Sequence, residues 1–179
     1  MNEQYGGDPL FEAADKAAQR GWSVIPAHTP GTAGECSCRR AACPNPGKHP
    51  RGNWSEHQRR RATRSEIARW WGKRWPGTSL GIATGQISNV VVLDVDPDSG
   101  GQDSLEELVQ RFGPLPDTVV ALSGGGGTHY YFKHPGYEMK SGTAFMPGLD
   151  IRADGGFVVI PPSIHSSGRS YEWEASSEP

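Results

Sequence analysis

No unbroken apolar stretch in this sequence exceeds four residues, whereas a membrane-spanning helix needs about 20. No basic-then-apolar leader precedes a cleavage site either. The reading is a soluble, cytoplasmic protein with no membrane partner. Cysteine is scarce: there are three, at positions 36, 38 and 43. An odd count packed into so short a stretch makes a poor disulfide framework and a better metal site. Acidic residues are nearly missing between residues 39 and 74, where eleven Lys or Arg meet only Glu56 and Glu66, an excess of nine positive charges. The rest of the chain holds seven bases against eighteen acids, so the net charge of −2 conceals a region built to meet polyanions.

What is abundant is glycine, with 24 residues, and proline, with 15, spread among apolar segments that persist along the chain. That combination indicates many turns in a folded domain rather than disorder. A length of 179 residues suits one domain with a sizeable core.

The chain is organised around Val90-Val91-Val92-Leu93-Asp94-Val95-Asp96. The β-branched run predicts a central strand buried on both faces. Side chains two apart on a strand share a face, so Asp94 and Asp96 direct two carboxylates at one region. Such a pair calls for a proton or a cation, and Mg²⁺ or Mn²⁺ held by aspartates and substrate phosphates is a common solution. A solvated turn after a strand is the alternative.

Around this strand the punctuation is clear. Asp8-Pro9 opens a helix that ends by Gly21, and residues 22–27 read as a strand. Thr63 and Glu66 form a capping box before an amphipathic helix carrying Ile67, Trp70, Trp71 and Trp75, with the tryptophans mostly in the core. Residues 80–84 make a further strand. Asp103 is the predicted cap of a helix closed by Gly113-Pro114. Residues 118–122 form a strand that leaves through the loop 123–127, whose four glycines let backbone amides meet an anion or simply turn a hairpin. The outgoing strand places His129 and Tyr131 on one face. Residues 148–152 give a strand with Asp150 and Arg152 on one side, residues 153–156 a hairpin turn, residues 157–160 its returning partner, and residues 171–173 an edge strand. Asp150 and Arg152 can equally be an exposed ion pair.

Cys36, Cys38, Cys43 and His49 lie among Pro and Gly that bend the chain, so four ligands can converge on a tetrahedral Zn²⁺. A structural zinc loop over residues 36–49 is predicted, with free thiols as the alternative. Directly after it, Arg51, Arg59, Arg60, Arg61, Arg64, Lys73 and Arg74 are candidates for phosphate contacts with a template strand.

The order of these features, Asp-x-Asp at a strand end, a glycine loop followed by His, then Leu149-Asp150-Ile151-Arg152, resembles the archaeo-eukaryotic primase superfamily. Within it, the chain is similar to the bifunctional primase/polymerase (prim-pol) domains of phage and plasmid replication proteins over residues 22–173. Gly47-Lys48-His49-Pro50, Trp70-Trp71, Gly81-Ile82-Ala83-Thr84-Gly85, Gly125-Gly126-Gly127-Thr128-His129, Gly155-Gly156 and Pro161-Pro162-Ser163 add to the likeness.

The resemblance implies an α+β fold, a mixed, largely antiparallel sheet of RNA-recognition-motif type joined to an α/β module, with the zinc-binding loop attached. Residues 1–179 would be a single catalytic domain with flexible ends at 1–7 and 175–179, the N-terminal part of a larger replication protein that can carry a helicase. It assigns Asp94 and Asp96 to the first catalytic motif, His129 to the second and Asp150 to the third. Two Mg²⁺ or Mn²⁺ ions on Asp94, Asp96 and Asp150 would support transfer of NTPs or dNTPs onto a primer on single-stranded DNA. Gly126, Gly127, Thr128, His129 and Arg152 would face the triphosphate, with Ser163, His165 and Lys48 as further phosphate or sugar contacts. Gly127 stands where the family's second motif has a small residue or Ser.

Two other readings use some of the same residues. A metal-dependent nuclease or TOPRIM-type enzyme also needs paired carboxylates, but the strand at 80–84 carries no acid where a TOPRIM site has Glu. A non-catalytic zinc-containing nucleic-acid-binding module accounts for the cysteines and arginines and leaves the aspartates without a task.

Overall fold

The computed structural model describes residues 7–31 and 34–176. The expected flexible ends therefore lie almost wholly outside the described residues.

Helix α1 (Pro9–Gln19) begins as its sequence dictates. Asp8 accepts the Leu10 amide at 2.9 Å, Pro9 takes the first helical position, and Gly21 follows the last turn at φ +88°. Ala14 and Ala17 are buried, and the helix packs on strands β1 (Ser23–Ala27) and β2 (Ser79–Ala83). Between those strands, α2 (Arg64–Arg69) carries the capping box in both directions, Thr63 with Glu66. The amphipathic helix expected here is short. It widens into a π-helical turn, Trp70–Arg74, closed by the Trp75 amide on the Trp70 carbonyl at 2.7 Å. That wider turn lets adjacent Trp70 and Trp71 both face inward, 6 % and 1 % exposed, with Trp71 Nε1 donating to the Thr78 carbonyl.

β1, β2 and β8 (Phe157–Val159) form a small antiparallel sheet. The larger sheet has the order β6 (Gly142–Met146), β7 (Leu149–Arg152), β3 (Val90–Val95), β5 (Thr128–Lys133), β4 (Val119–Leu122), β9 (Glu172–Trp173). Every named pairing is antiparallel, so the largely antiparallel α+β architecture is present, with β3 central and β9 at an edge as expected.

The alternation of β3 divides the core. Val90 and Val92 join one cluster with Val24, Ile82, Val158, Trp71 and Tyr131 between the two sheets. Leu93 and Val95 join Leu105 and Leu149 beneath α3 (Gly101–Phe112). Each fully buried aliphatic side chain is worth about 1.5–3 kcal/mol. Asp94, in phase with Val92, thereby emerges on the face between the sheets.

Two expectations are corrected. Asp103 does not cap α3, which starts at Gly101 after Gly100 at φ +86°. The cause is close packing: a Cβ on Gly101 would lie 2.6 Å from the carbonyls of both Asp96 and Gly148, so glycine alone lets the helix begin directly behind β3. Residues 153–156 do not turn a hairpin either. β7 pairs with β3 and β6, whereas β8 pairs with β2, so the chain crosses from one sheet to the other there.

Asp154 holds that crossover. Its carboxylate accepts the Gln86 and Met139 amides at 2.8 and 2.9 Å and lies 3.3 Å from His134 Nε2. Burial alone would raise its pKa, but the two amides and then His134 outweigh burial and hold the carboxyl below its ordinary value. A carboxyl depressed in the folded state adds stability above its unfolded pKa and loses it as pH falls. Asp154→Ala is therefore expected to cost about 1–3 kcal/mol at pH 7, read from urea midpoints. The gap to the parent protein should narrow as pH drops through about 4; a gap independent of pH would assign the cost to packing.

Candidate active site

The large sheet brings the sequence-distant Asp150 and His129 to the strand end that carries Asp94 and Asp96. In register, Asp94 lies opposite His129 of β5 on one side and Asp150 of β7 on the other, and Val92 lies opposite Arg152. The row borders a cleft of about 550 Å³ between the sheets, walled by Asp94, Asp96, Asp150, His129, Arg152, Gly125, Gly127, His165, Lys48 and, from the small sheet, Phe157 to Val159.

Within the row, His129 Nε2 is 3.3 Å from Asp94 Oδ1. Arg152 Nη2 lies 2.5 Å from Asp150 Oδ2 and 3.7 Å from Asp94 Oδ2. The like charges braced here are those of Asp94 and Asp150, by the Arg152 guanidinium and, at Asp94, the His129 imidazole, whereas the sequence pointed to Asp94 and Asp96 as the pair. Burial pushes the Asp94 carboxyl up, but the His129 hydrogen bond and charge, then Arg152 and Lys48, bring it below its ordinary value, so it is ionised at neutral pH. The other oxygen of Asp150 accepts the Ala144 amide at 2.6 Å, from a residue of β6 held at φ +49° beside a bulge.

Asp96 sits just beyond the strand and turns the chain. Its carboxylate accepts the Asp98 amide at 3.1 Å and the Ser99 hydroxyl at 2.8 Å, capping a single 3-10 turn, Pro97–Ser99. Both of its oxygens therefore already serve local structure, Oδ1 with the Asp98 amide and Oδ2 with the Ser99 hydroxyl, while the group as a whole borders the cleft.

The glycine loop is both a hairpin turn between β4 and β5 and part of the wall. The expectation of free amides at Gly126 and Gly127 is corrected. Gly126 donates to the Ser123 carbonyl and Gly127 to the Ser123 hydroxyl, closing the turn. Among the described residues, the amides of Gly124 and Gly125 have no such partner. A Cβ on Gly125 would meet the His165 ring at 2.8 Å, so its glycine is explained by close approach. Thr128 and Gly126 do not wall the cleft. Ser163 is also corrected: it is fully buried and its hydroxyl both donates to the Leu80 carbonyl and accepts the Leu80 amide, which leaves it no reach to a phosphate.

Two buried polar atoms, His129 Nδ1 and the Tyr131 hydroxyl, lack a hydrogen-bond partner among the described residues. Unpaired buried groups of this kind concentrate where a ligand completes the site. Burial and the Asp94 charge push the Tyr131 phenol up, and the Tyr171 phenol likewise. Tyr171 is a wall residue that sequence reasoning placed only on an edge strand; its ring lies 6.0 Å from that of His129 and 5.9 Å from that of His165. No local motif marks it, because it reaches the cleft from 42 positions beyond His129 in the chain.

Cys36, Cys38, Cys43 and His49 come together as predicted, their ligand atoms all within 4.8 Å of one another. His49 Nε2 is 3.4 Å from Cys36 Sγ and 3.5 Å from Cys43 Sγ, spacings that fit a tetrahedral thiolate-and-imidazole site. Burial opposes ionisation of Cys36, but the amides of Cys38 and Gly47 overcome it and draw its thiol down to about 6. The same segment presents Asn45 and Lys48 to the cleft.

The basic residues divide. Arg60 pairs with Glu56 and Glu66, Arg64 with Asp15, and Arg61 donates to the Ile87 carbonyl. Arg51 and Arg74 lie over the Trp75 ring at 5.0 and 4.4 Å, and Arg59 and Lys73 are exposed. None of these seven borders the cleft. Among the described residues no helix is long and apolar enough to cross a membrane.

The family model described as bifunctional DNA primase/polymerase, N-terminal, matches residues 14–179. No curated protein matches the chain.

Proposed function

The chain belongs to the bifunctional DNA primase/polymerase family and is an enzyme of that class, a premise from which we propose that its cleft joins nucleotides to a primer on single-stranded DNA in phage or plasmid replication, in the cytoplasm, as the N-terminal catalytic part of a longer replication protein. The observation that carries this reading is the cross-strand row His129, Asp94, Asp150, with Asp96 just past the end of the central strand and a cleft beside it.

The carboxylates of Asp94, Asp96 and Asp150 are hard oxygen donors on one wall, a set that fits Mg²⁺ or Mn²⁺. Metal held there would lower the pKa of the primer 3′-hydroxyl and neutralise charge on the leaving pyrophosphate. The chain's own residues prepare that chemistry. His129 fixes the Asp94 carboxylate through Nε2, the Ala144 amide fixes Asp150, and Arg152 offsets the repulsion between them until substrate arrives. Lys48, His165 and Gly125 border the space where a triphosphate would lie. Arg152 can move its fork from carboxylate to phosphate, since both are bidentate acceptors.

A denaturing-gel assay with single-stranded template, labelled nucleotide and Mn²⁺, with and without annealed primer, tests the proposal. Product from both reactions is the expected outcome. Extension alone would mark a polymerase core lacking its initiation segment. No product despite metal-dependent nucleotide binding would redirect the reading to another nucleotidyl transfer.

Arg152→Ala is expected to raise the apparent KM for nucleotide by roughly tenfold or more and to leave that for template nearly unchanged. Should Arg152 act only as the counter-charge of Asp94 and Asp150, the Mn²⁺ requirement would fall instead and the nucleotide KM would stay put.

A further inference from the structure

The basic stretch is not one surface. Its middle, Arg60 to Arg64, is largely spent on Glu56, Glu66, Asp15 and the Ile87 carbonyl. Its two ends meet beside the Cys3His loop. Arg39 stands in the tight turn between the second and third cysteines, at φ +60° and exposed, its amide bound to the Cys36 carbonyl. Arg51, on the segment that presents Asn45 and Lys48 to the cleft, rests on Trp75 and donates to the Thr78 hydroxyl at 3.3 Å. Arg74, at the end of the π turn, rests on the same ring. Among the described residues no carboxylate pairs with Arg39, Arg51, Arg74 or Lys48.

Such crowding costs folding free energy unless a polyanion relieves it. The cations run from the tip of the cysteine loop to the end of a helix instead of converging on one point, which suits successive phosphates better than a single triphosphate. Their zone is continuous with the cleft through the 45–51 segment. Trp75 keeps two guanidiniums at a set position, so their entropy is already reduced before a ligand binds.

Resting on the polymerase reading of the cleft, we propose that Arg39, Arg51 and Arg74, seated on Trp75 and the cysteine loop, form the track that holds the phosphate backbone of the single-stranded template, while Arg60, Arg61 and Arg64 are structural. Each lost phosphate contact on a single strand lowers the slope of log affinity against log salt by about 0.7.

The test is anisotropy of a labelled oligothymidylate across a salt series from about 50 to 300 mM. Arg39→Gln/Arg74→Gln is compared with Arg69→Gln/Arg111→Gln, which removes the same charge from exposed positions outside the proposed track. The first variant should bind about tenfold more weakly and lose roughly 1.4 from the slope, and the second should match the parent. Equal losses in both would mean diffuse attraction and overturn the track; no loss in the first, or no binding by the parent, would overturn it as well. Trp75→Leu keeps every charge, so it should weaken binding with the slope retained, and a parent-like affinity would remove Trp75 from the proposal. Parent protein that binds the oligonucleotide with the expected slope yet makes no product would overturn the catalytic reading and leave the track standing, so the two failures are separable.

Discussion

Replacing Asp94 by Ala is expected to lower nucleotide incorporation by about a thousandfold or more, roughly 4 kcal/mol of transition-state stabilisation, and to leave the melting temperature nearly unchanged. The two halves of that expectation have the same origin. Asp94 occupies the centre of the row, between His129 and Asp150, and shares Arg152 with the latter. Its removal takes away a proposed metal ligand, yet Arg152 keeps its 2.5 Å partner in Asp150 and one like-charge repulsion disappears. Asp96 differs. Its carboxylate also caps the Pro97–Ser99 turn, so Asp96→Ala carries a capping penalty of about 0.5–2 kcal/mol that Asp96→Asn largely avoids. Asp96→Asn is therefore the cleaner companion: folded, capped and inactive. Parent-like synthesis by both variants would dismiss the carboxylate assignment, and parallel loss of melting temperature and activity would recast the row as structural.

Removing metal from the Cys3His cluster should have the second large effect. We expect purified protein to carry one equivalent of zinc, and chelation or Cys43→Ala to lower the melting temperature by about 10 °C or more, since structural zinc contributes on the order of 10 kcal/mol to small domains. The loop is pinned to β1 and the residues after it at both ends, through the Ser37 amide on the Thr29 carbonyl at its start and the His28 amide on the His49 carbonyl and the Arg51 amide on the Pro26 carbonyl at its close. Between those pins there is little apolar packing beyond Cys36. Without a cation, ionised thiols held within 4.8 Å would repel. Because Asn45 and Lys48 border the cleft from this loop, chelated protein should also show a raised nucleotide KM before it unfolds. Less than half an equivalent of metal, with melting indifferent to chelation, would return the cysteines to ordinary thiols.

The row of acids was legible in the sequence because strand alternation is a strict period: once Val90 to Val95 is read as a strand, the direction of Asp94 follows. The same logic put Asp150 and Arg152 on one side of β7. Partnership was harder. Gly155-Gly156 after a short strand reads as a hairpin, and only the pairing of β8 with β2 reveals a crossover. Asp103 looked like a cap because Asp caps helices, whereas the helix starts where Gly101 can approach the Asp96 and Gly148 carbonyls. Ala144 was invisible for a deeper reason. It serves Asp150 through its backbone amide, and a side-chain alphabet carries no record of that. Charge counting found the basic region but not its division, since Glu56 and Glu66 both turn to the single residue Arg60 while Asp15 reaches Arg64 from α1.

The crossover at residues 153–156 has a mechanical consequence. Four residues reach no more than about 15 Å at full extension, and Asp154 draws them to Gln86 and Met139 besides. The two walls of the cleft are thus joined by a short leash immediately after Arg152, so they cannot part like sliding plates. With the core of Val24, Ile82, Val158, Val90, Val92 and Tyr131 packed between them as well, their spacing at the reacting end is set, and a longer duplex would have to be accommodated at the open side of the cleft rather than by a wider gap there.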